Sequence, residues 1–301
     1  MELSRFVFVA LLNFLPFGCS KMVDFCQLPY CGINNLACRN PSVSSGQQSE
    51  QTMSVKLCIC VSQKFSVMCP SNARTLSMST YRNVLLSAFN EFRNFTASGK
   101  QKYLKAAAAR MSRLSYSVEL ENLARLAVIT CSAHKFCLSS PEFYSVGTNT
   151  GSTCYWGSLN DYEDLELMLQ TIQDWTGYAD YINIKMVLYM PTTLEKREVA
   201  KALLLMADRN THVGCAAMRF TVDFVHNFVF LCAFSTDLFV ERPIYLMSSK
   251  PGTACQRLDP TYSALCAAGE NYDNNKPVAQ ARVFQLPLDV SIARQAYVPA
   301  T

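Results

Sequence analysis

The sequence predicts an α+β domain in which helices precede the strands of one layered sheet. Half of its 301 residues are hydrophobic, enough to bury one sizeable core. Apolar residues recur at helical spacing from Thr80 onward, and strand-like patterns follow Arg209. The chain also holds 14 cysteines, a number typical of proteins from an oxidising compartment. A mixed, layered domain held by disulfides is the economical outcome.

Charge and composition argue against several classes of protein. The formal net charge of +4 is a mild surplus spread along the chain, so no nucleic-acid partner is indicated. The three histidines, His134, His212 and His226, are too few to favour a multi-histidine metal site. No segment reaches about 18 uninterrupted apolar residues, so no membrane span is expected.

The first twenty residues resemble a cleaved signal peptide. Arg5 precedes the apolar run 6–17, and the small residues Gly18, Cys19 and Ser20 follow. We therefore expect a soluble, secreted, extracellular protein. Cleavage after Ser20 would remove Cys19 and leave an odd number of cysteines, so one thiol stays free or joins two chains in a covalent dimer.

Three further regions follow the signal peptide 1–20. Residues 21–75 form a cysteine-rich N-terminal extension that contains a polar insert at 42–51. Residues 76–246 form the main domain. Residues 247–301 form a C-terminal extension, which resembles a small tail stapled between Cys255 and Cys266 and ending irregularly.

The main domain shows four helical segments and then a pair of strands. The helices are expected from Thr80 to about residue 93, over 106–114 continuing into 118–131, over 161–175 and over 195–207. The runs HVGCAAMRFTVD and NFVFLCAFS suit paired strands through a buried sheet. The acidic groups Glu119/Glu121 and Glu163/Asp164/Glu166 lie at helical spacing, which favours a solvated face over acid-base chemistry.

Several stretches together resemble the antigen 5 family of insect secreted proteins, a branch of the CAP superfamily of cysteine-rich secretory proteins. The most specific is THVGCAA at 211–217, followed by NFVFLCAFS at 227–235 and RPIY at 242–245. DFCQLPYCGINNLAC, CPSNA, AFNEFRNFTASGK, AARMSRLSYSVELENLA and EFYSVGTN add weaker matches in the family's order. The resemblance implies a three-layer α-β-α sandwich, the CAP domain, with disulfide-stapled extensions at both ends.

The resemblance also implies a set of disulfides. The implied pairs are Cys26–Cys38, Cys31–Cys137, Cys69–Cys131, Cys215–Cys232 and Cys255–Cys266. Cys58, Cys60 and Cys154 fall outside this pattern. One bridge from Cys154 to either Cys58 or Cys60, with the other thiol unpaired, is the simplest arrangement.

Many CAP proteins hold a divalent metal in a central cleft through two histidines and two acidic residues. The matching positions here are His134, Thr148, Tyr178 and Lys201, so the resemblance implies that only the first ligand is kept. Threonine supplies no carboxylate, and a protonated lysine has no lone pair and repels a cation. We therefore expect no metal, no other cofactor and no catalytic residue, and the chain also lacks a GxSxG nucleophile elbow.

These features predict a secreted, non-enzymatic binding protein whose partner is an extracellular protein or a cell-surface receptor. By analogy with degenerate insect members, the favoured setting is seminal fluid, with action on sperm or on the female response after mating. The alternatives are a salivary, venom or haemolymph protein that binds a lipid or small ligand, and a metal-dependent hydrolase. Asn94-Phe95-Thr96 is a glycosylation sequon. Receptor, tissue and oligomeric state are left open.

Overall fold

The computed structural model describes residues 23–37, 56–57, 64–131 and 136–284. The helices are α1 (Arg82–Ala97), α2 (Val118–Val128), α3 (Asp164–Gly177), α4 (Ile184–Leu188) and α5 (Val199–Met206). The longer strands are β6 (Gly147–Tyr155), β7 (His212–Val222) and β8 (Val225–Phe234). The two-residue strands are β1 (Val23–Asp24), β2 (Lys56–Leu57), β3 (Arg74–Thr75), β4 (Ala107–Ala108), β5 (Ser115–Tyr116), β9 (Phe239–Val240), β10 (Met247–Ser248) and β11 (Arg282–Val283).

A five-stranded sheet forms the middle layer. Its order is β3, β7, β8 and β6, all antiparallel, and β5 adds a parallel pairing to the start of β7. β7 and β8 form a hairpin whose turn, Asp223-Phe224, has positive φ at both residues. Such a turn matches the twist of paired strands, which explains why these two long apolar segments lie side by side.

Helices cover both faces of the sheet and bury two separate apolar clusters. The larger cluster lies under α1, α3 and α5 and includes Phe89, Trp175 and Phe230. The smaller cluster lies under α2 and includes Leu123 and Met218. The arrangement is therefore the three-layer α-β-α sandwich that the family resemblance implies.

Helix α2 shows how local sequence fixes one layer. Ser117 caps the helix, because its hydroxyl accepts a hydrogen bond from Leu120 N at 3.2 Å. Gly214 on β7 lets the helix approach the sheet closely, since a Cβ atom there would lie 2.1 Å from Glu121 N. Any side chain at this position would push α2 away from the sheet.

The prediction of helix at 106–114 is wrong. Ala107–Ala108 is strand β4, which pairs with β10, and the chain forms no helix between it and strand β5. Partners distant in sequence hold this segment: Ser112 O accepts two hydrogen bonds from the Arg93 guanidinium, and Cys266 N donates to Met111 O at 2.8 Å. These contacts override the helical propensity of the alanine run.

The C-terminal extension is not a loose tail over the residues that the structure describes. Leu265 and Cys266 are fully buried, and Cys255 is bonded to Cys266. Arg110 forms an ion pair with Glu270 at 3.1 Å, and its guanidinium lies 4.0 Å from the centre of the Tyr272 ring. The extension thus packs against the extended segment between β4 and β5.

Four disulfides join the described cysteines, with the same partners that the resemblance implies: Cys31–Cys137, Cys69–Cys131, Cys215–Cys232 and Cys255–Cys266. The remaining implied pair, Cys26–Cys38, includes a residue outside the described ranges, as do the signal peptide, Cys58, Cys60 and His134. Among the described residues, no helix is both long enough and apolar enough to cross a membrane.

Candidate functional site

The cleft positions of the CAP family lie on three neighbouring elements. Thr148 is on the edge strand β6, Tyr178 opens the 3₁₀ turn Tyr178–Tyr181 after α3, and Lys201 is in the first turn of α5. α5 packs against both β6 and the 3₁₀ turn. The retained position, His134, lies outside the described residues, so its place relative to the other three stays a prediction.

Lys201 is anchored through its backbone. Asn149, buried on β6, donates from Nδ2 to Lys201 O at 3.0 Å and so ties the first turn of α5 to the sheet. The Lys201 side chain is half-buried. The backbone of Lys201 is thus fixed on the helix turn where the family pattern has its second histidine.

Tyr178, at the second acidic position, also has a cation beside it. The Nζ atom of Lys196 lies 5.7 Å from the centre of the Tyr178 ring and 3.7 Å from that of Tyr181. This distance is within the range of cation–π attraction. Burial, with a smaller effect from Glu198, raises the pKa of the Tyr178 hydroxyl, so the ring stays neutral at physiological pH.

Thr148 faces the other side of the sheet. It pairs with Ala233, whose side chain belongs to the cluster under α2, whereas the next residue, Asn149, contacts α5. Strand alternation explains this difference. Thr148 is half-buried and offers a hydroxyl where the family pattern has an acidic or amide side chain.

The other two histidines have structural partners. Nδ1 of His212 lies 2.9 Å from the Thr211 hydroxyl, and burial lowers the pKa of the ring. Nδ1 of His226 lies 2.9 Å from the Thr221 hydroxyl, and Nε2 lies 3.1 Å from Gly157 O. His226 thus connects the hairpin to the loop after β6. Neither histidine lies on an element that carries a cleft position.

The assignment of Glu119 and Glu121 to a solvated face is wrong. Glu121 is buried and accepts two hydrogen bonds from Arg82, at 2.9 and 3.0 Å, and one from the Tyr116 hydroxyl at 2.8 Å. Burial raises the pKa of the Glu119 carboxyl. Helical spacing predicted helix α2. It could not reveal the contact between Glu121 and Arg82, because Arg82 lies on α1.

The suggested bridge from Cys154 to Cys58 or Cys60 is not formed. Cys154 carries a free thiol on the edge strand β6, and its Sγ donates to Asn227 Oδ1 on β8 at 3.1 Å. Burial of part of the side chain raises the pKa of this thiol. It is therefore a poor nucleophile at neutral pH.

Metal-binding capacity is low in the described part of the chain. The sole compact group of histidine, cysteine and acidic side chains there is Cys255, Cys266 and Glu270. Both cysteines belong to one disulfide, so they provide no thiolate. The described cleft positions offer a hydroxyl, a phenol and an ammonium group, a donor set that does not fit a divalent metal.

The sequon Asn94-Phe95-Thr96 lies in the last turn of α1. Asn94 is half-buried, and its Oδ1 accepts from Ala264 N at 2.9 Å. A glycosylated asparagine keeps this oxygen, so the contact is compatible with a glycan. Occupancy of the sequon stays a prediction.

Together, the α-β-α sandwich and the cleft positions define a CAP domain. The family model described as "CAP: Cysteine-rich secretory protein family" matches residues 86–234, from the first turns of α1 to the end of β8. The chain belongs to this family, as a divergent member.

Its relatives include a tabinhibitin and a protein named venom allergen. The chain is 27% identical to Tabinhibitin 2 of Tabanus yao over 281 residues, covering 91% of this chain and 97% of that protein. It is 24% identical to Venom allergen-1 of Aedes aegypti over 252 residues, covering 83% and 91%. The crystal structure of Na-ASP-1 superposes with a TM-score of 0.51 at 20% identity, covering 67% of this chain and 50% of that one. This protein is therefore a CAP-domain relative of the venom allergen-like proteins.

Proposed function

We propose that the protein is a secreted, non-enzymatic binding protein whose cleft has exchanged metal chemistry for positive charge. The observation that carries this proposal is a pair of lysines, one at the second histidine position and one beside the second acidic position. Lys201 replaces the histidine, and Lys196 lies 5.7 Å from the ring that replaces the acid. Two ammonium groups beside a cation site oppose the binding of Zn²⁺ and reduce the local concentration of other cations.

Extracellular action is supported by the cysteine chemistry. The four disulfides of the described residues form and persist in oxidising compartments. The partner would be an extracellular protein or a cell-surface receptor, with a lipid as the second candidate ligand. The lipid candidate draws on the exposed ring of Tyr181 beside Lys196, which offers an apolar surface next to a cation.

Zinc titration calorimetry tests the proposal. The wild-type protein should give no heat of binding at micromolar zinc, and His134→Ala should be indistinguishable from it. A gain-of-ligand variant, Tyr178→Glu/Lys201→His, restores two of the family's donor types on the α5 side of the sheet and provides the positive comparison. Micromolar binding by the wild type that is lost in His134→Ala would overturn the proposal and revive a metal-dependent hydrolase.

The biological setting requires a different measurement. The seminal-fluid hypothesis and the venom, salivary or haemolymph hypothesis make opposite predictions for tissue distribution. An immunoblot of tissues from both sexes, with mated and unmated females compared, separates them. Signal in male accessory tissue that appears in females after mating supports a seminal protein. Signal confined to salivary gland, gut or haemolymph removes the seminal-fluid hypothesis. Because of the names of the relatives, these tissues are the ones to examine first.

A bound lipid would show itself by mass spectrometry of an organic extract of the purified protein. The matched variants are Tyr181→Ser and Lys196→Gln, which remove the ring and the cation separately. Loss of an extracted lipid in both variants would support the second candidate, and its absence from the wild-type extract together with a negative sterol-binding assay would eliminate it.

A further inference from the structure

Two stretches of the chain lack acidic residues entirely. Residues 92–118 and residues 242–258 contain lysines and arginines but no aspartate or glutamate. They are separated by more than a hundred residues, so the sequence gives no sign that their charges act together. The fold brings them side by side, which makes the surplus of positive charge local.

The pairing of β4 with β10 joins the two stretches. The strands are antiparallel, with Ala107 opposite Ser248. Lys105 precedes Ala107 by two residues and Lys250 follows Ser248 by two, so both lysines lie at the same end of this ribbon.

The end of α1 meets the ribbon at the same place. Gly99 has φ +70°, and a Cβ atom built on it would lie 3.0 Å from Ala107 N. This close approach, which glycine makes possible, places Lys100 next to the start of β4. Lys100 N in turn donates to Phe95 O at 3.4 Å, so the last turn of α1 belongs to the same surface.

The side chains of this surface, which we call the α1-end surface, are exposed. It consists of Phe95, Lys100, Lys102, Tyr103, Lys105 and Lys250. Tyr103 is 60% exposed and Phe95 47%, although both are large apolar groups. The Nζ atom of Lys102 lies 4.8 Å from the centre of the Tyr103 ring.

Two acidic residues in the described part of the chain lie near the α1-end surface, and each has a partner. Glu91, one turn before Phe95, accepts a hydrogen bond from the Ser87 hydroxyl at 2.9 Å. Glu270 lies near the neighbouring Arg110 and is buried in the ion pair with it. The α1-end surface thus combines four exposed lysines with two exposed rings.

We propose that the α1-end surface binds the surface of anionic phospholipid membranes. Lysines near such a membrane are attracted by its negative potential, and phenyl and phenol rings are favoured at the level of the headgroups. The two rings favour a membrane over a sulfated polysaccharide, because a polysaccharide offers no apolar phase for them. The proposal concerns a surface outside the cleft and is independent of the proposed function.

Vesicle co-sedimentation of the full-length secreted protein provides the test. The protein should sediment with vesicles of phosphatidylcholine and phosphatidylserine at a 7:3 ratio but not with phosphatidylcholine alone, and binding should weaken with added salt. Lys102→Glu/Lys105→Glu should lower the apparent affinity by about tenfold or more. Phe95→Ser/Tyr103→Ser should lower it while keeping the salt dependence.

The matched control is Lys64→Glu/Lys185→Glu, which changes the net charge equally at two exposed lysines elsewhere in the chain. It should keep most of the wild-type binding, and circular dichroism should show that all variants fold. Equal losses in the control and in Lys102→Glu/Lys105→Glu would overturn the proposal, since binding would then follow net charge alone. Retention on a heparin column without binding to anionic vesicles would also overturn it, in favour of a polyanion.

Discussion

Two arginines are almost fully buried in this domain, and their surroundings differ. Arg93 on α1 bonds to backbone carbonyls: Ser112 O at 3.0 and 2.8 Å, Leu205 O at 2.7 Å, Ala207 O at 2.9 Å and Asn210 O at 3.1 Å. Arg219 on β7 has a carboxylate partner, Asp164 Oδ1 at 2.5 Å, and also bonds to the Tyr155 hydroxyl.

The difference shows two uses of one side chain. Arg93 fixes three separate segments, namely α1, the extended stretch before β5 and the loop after α5, by satisfying carbonyls that no helix or sheet partner reaches. Burial lowers its pKa to about 10, so it remains charged at neutral pH. Arg219 instead holds the loop 156–163 over the end of the sheet, through Leu159 O and Tyr162 O.

The largest effect is expected from removing Arg93. Arg93→Met keeps the side-chain volume but removes the guanidinium donor from four buried carbonyls, of which Ala207 O keeps the backbone N–H of Asn210. We expect a loss of roughly 3–5 kcal/mol in the free energy of unfolding, measured by urea unfolding under oxidising conditions. Arg93→Lys keeps the charge but not the planar guanidinium, so its free energy of unfolding should lie between those of the wild type and Arg93→Met. A loss below 1 kcal/mol in Arg93→Met would show that water replaces the guanidinium at little cost.

A smaller effect is expected at Arg219, because its partners reach solvent more easily. Arg219→Met should cost about 2 kcal/mol, since Asp164 is 25% exposed and can recover water. A double-mutant cycle with Asp164→Asn should give a coupling energy of about 1 kcal/mol. A coupling near zero would mean that the carbonyls of the loop, and not the carboxylate, hold Arg219, which would make the two arginines alike.

Asp208, whose carboxylate interacts electrostatically with Arg93, provides a pH test. Burial raises the pKa of Asp208 from 3.8 to about 6, although Arg93, Arg209 and the Leu246 N–H favour its charged form. Between these two values the folded chain keeps a proton that the unfolded chain has lost, so this group makes stability fall as pH rises through the window. Asp208 is half-buried, so solvent screening reduces the change below the full value for such a shift, and we expect about 1 kcal/mol.

Unfolding free energies of the wild type and of Asp208→Asn at pH 4 and pH 7 measure this change. The wild type should lose about 1 kcal/mol more than the variant between the two values. Asp180→Asn, at an exposed position on the turn after α3, is the control and should follow the wild type. If the unfolding free energy of Asp208→Asn changes with pH as that of the wild type does, another group causes the pH dependence.

The segments that sequence patterns predicted well are those whose burial is periodic and local. α1, α3, β7 and β8 were predicted near their observed bounds, because an apolar stripe or run decides their packing. The stretch at 106–114 was not, since its alanines fit a helix and its partners, Arg93 and Cys266, come from distant parts of the chain. Helix α5 begins four residues later than the predicted 195, at Val199, and Lys196 before it lies against the Tyr181 ring.

The cleft shows the same limit. The identities of Thr148, Tyr178 and Lys201 followed from the family resemblance, because each occupies a position within a recognisable run of residues. The position of Lys196 beside Tyr178 did not follow from the resemblance. Lys196 matches no family position, and only the fold of the chain between α3 and α5 brings it next to Tyr178. The α1-end surface was missed for a related reason: net charge counted along the chain does not reveal which charges the fold places together.

The smallest effect is expected at Cys154, whose thiol makes one hydrogen bond at the edge of the sheet. Cys154→Ser keeps a donor for Asn227 Oδ1 and should change the free energy of unfolding by less than about 0.5 kcal/mol.

The main effect of the Cys154 thiol should instead be on covalent chemistry. Because burial raises the pKa of this thiol, alkylation by iodoacetamide at pH 7 should be slow and should accelerate at pH 9. If Cys154 is the thiol that joins two chains, non-reducing electrophoresis should show a dimer in the wild type and none in Cys154→Ser. A dimer that persists in the variant would assign the bond to another cysteine, and a fast reaction at pH 7 would show that the edge of the sheet exposes the thiol more than its contact with Asn227 implies.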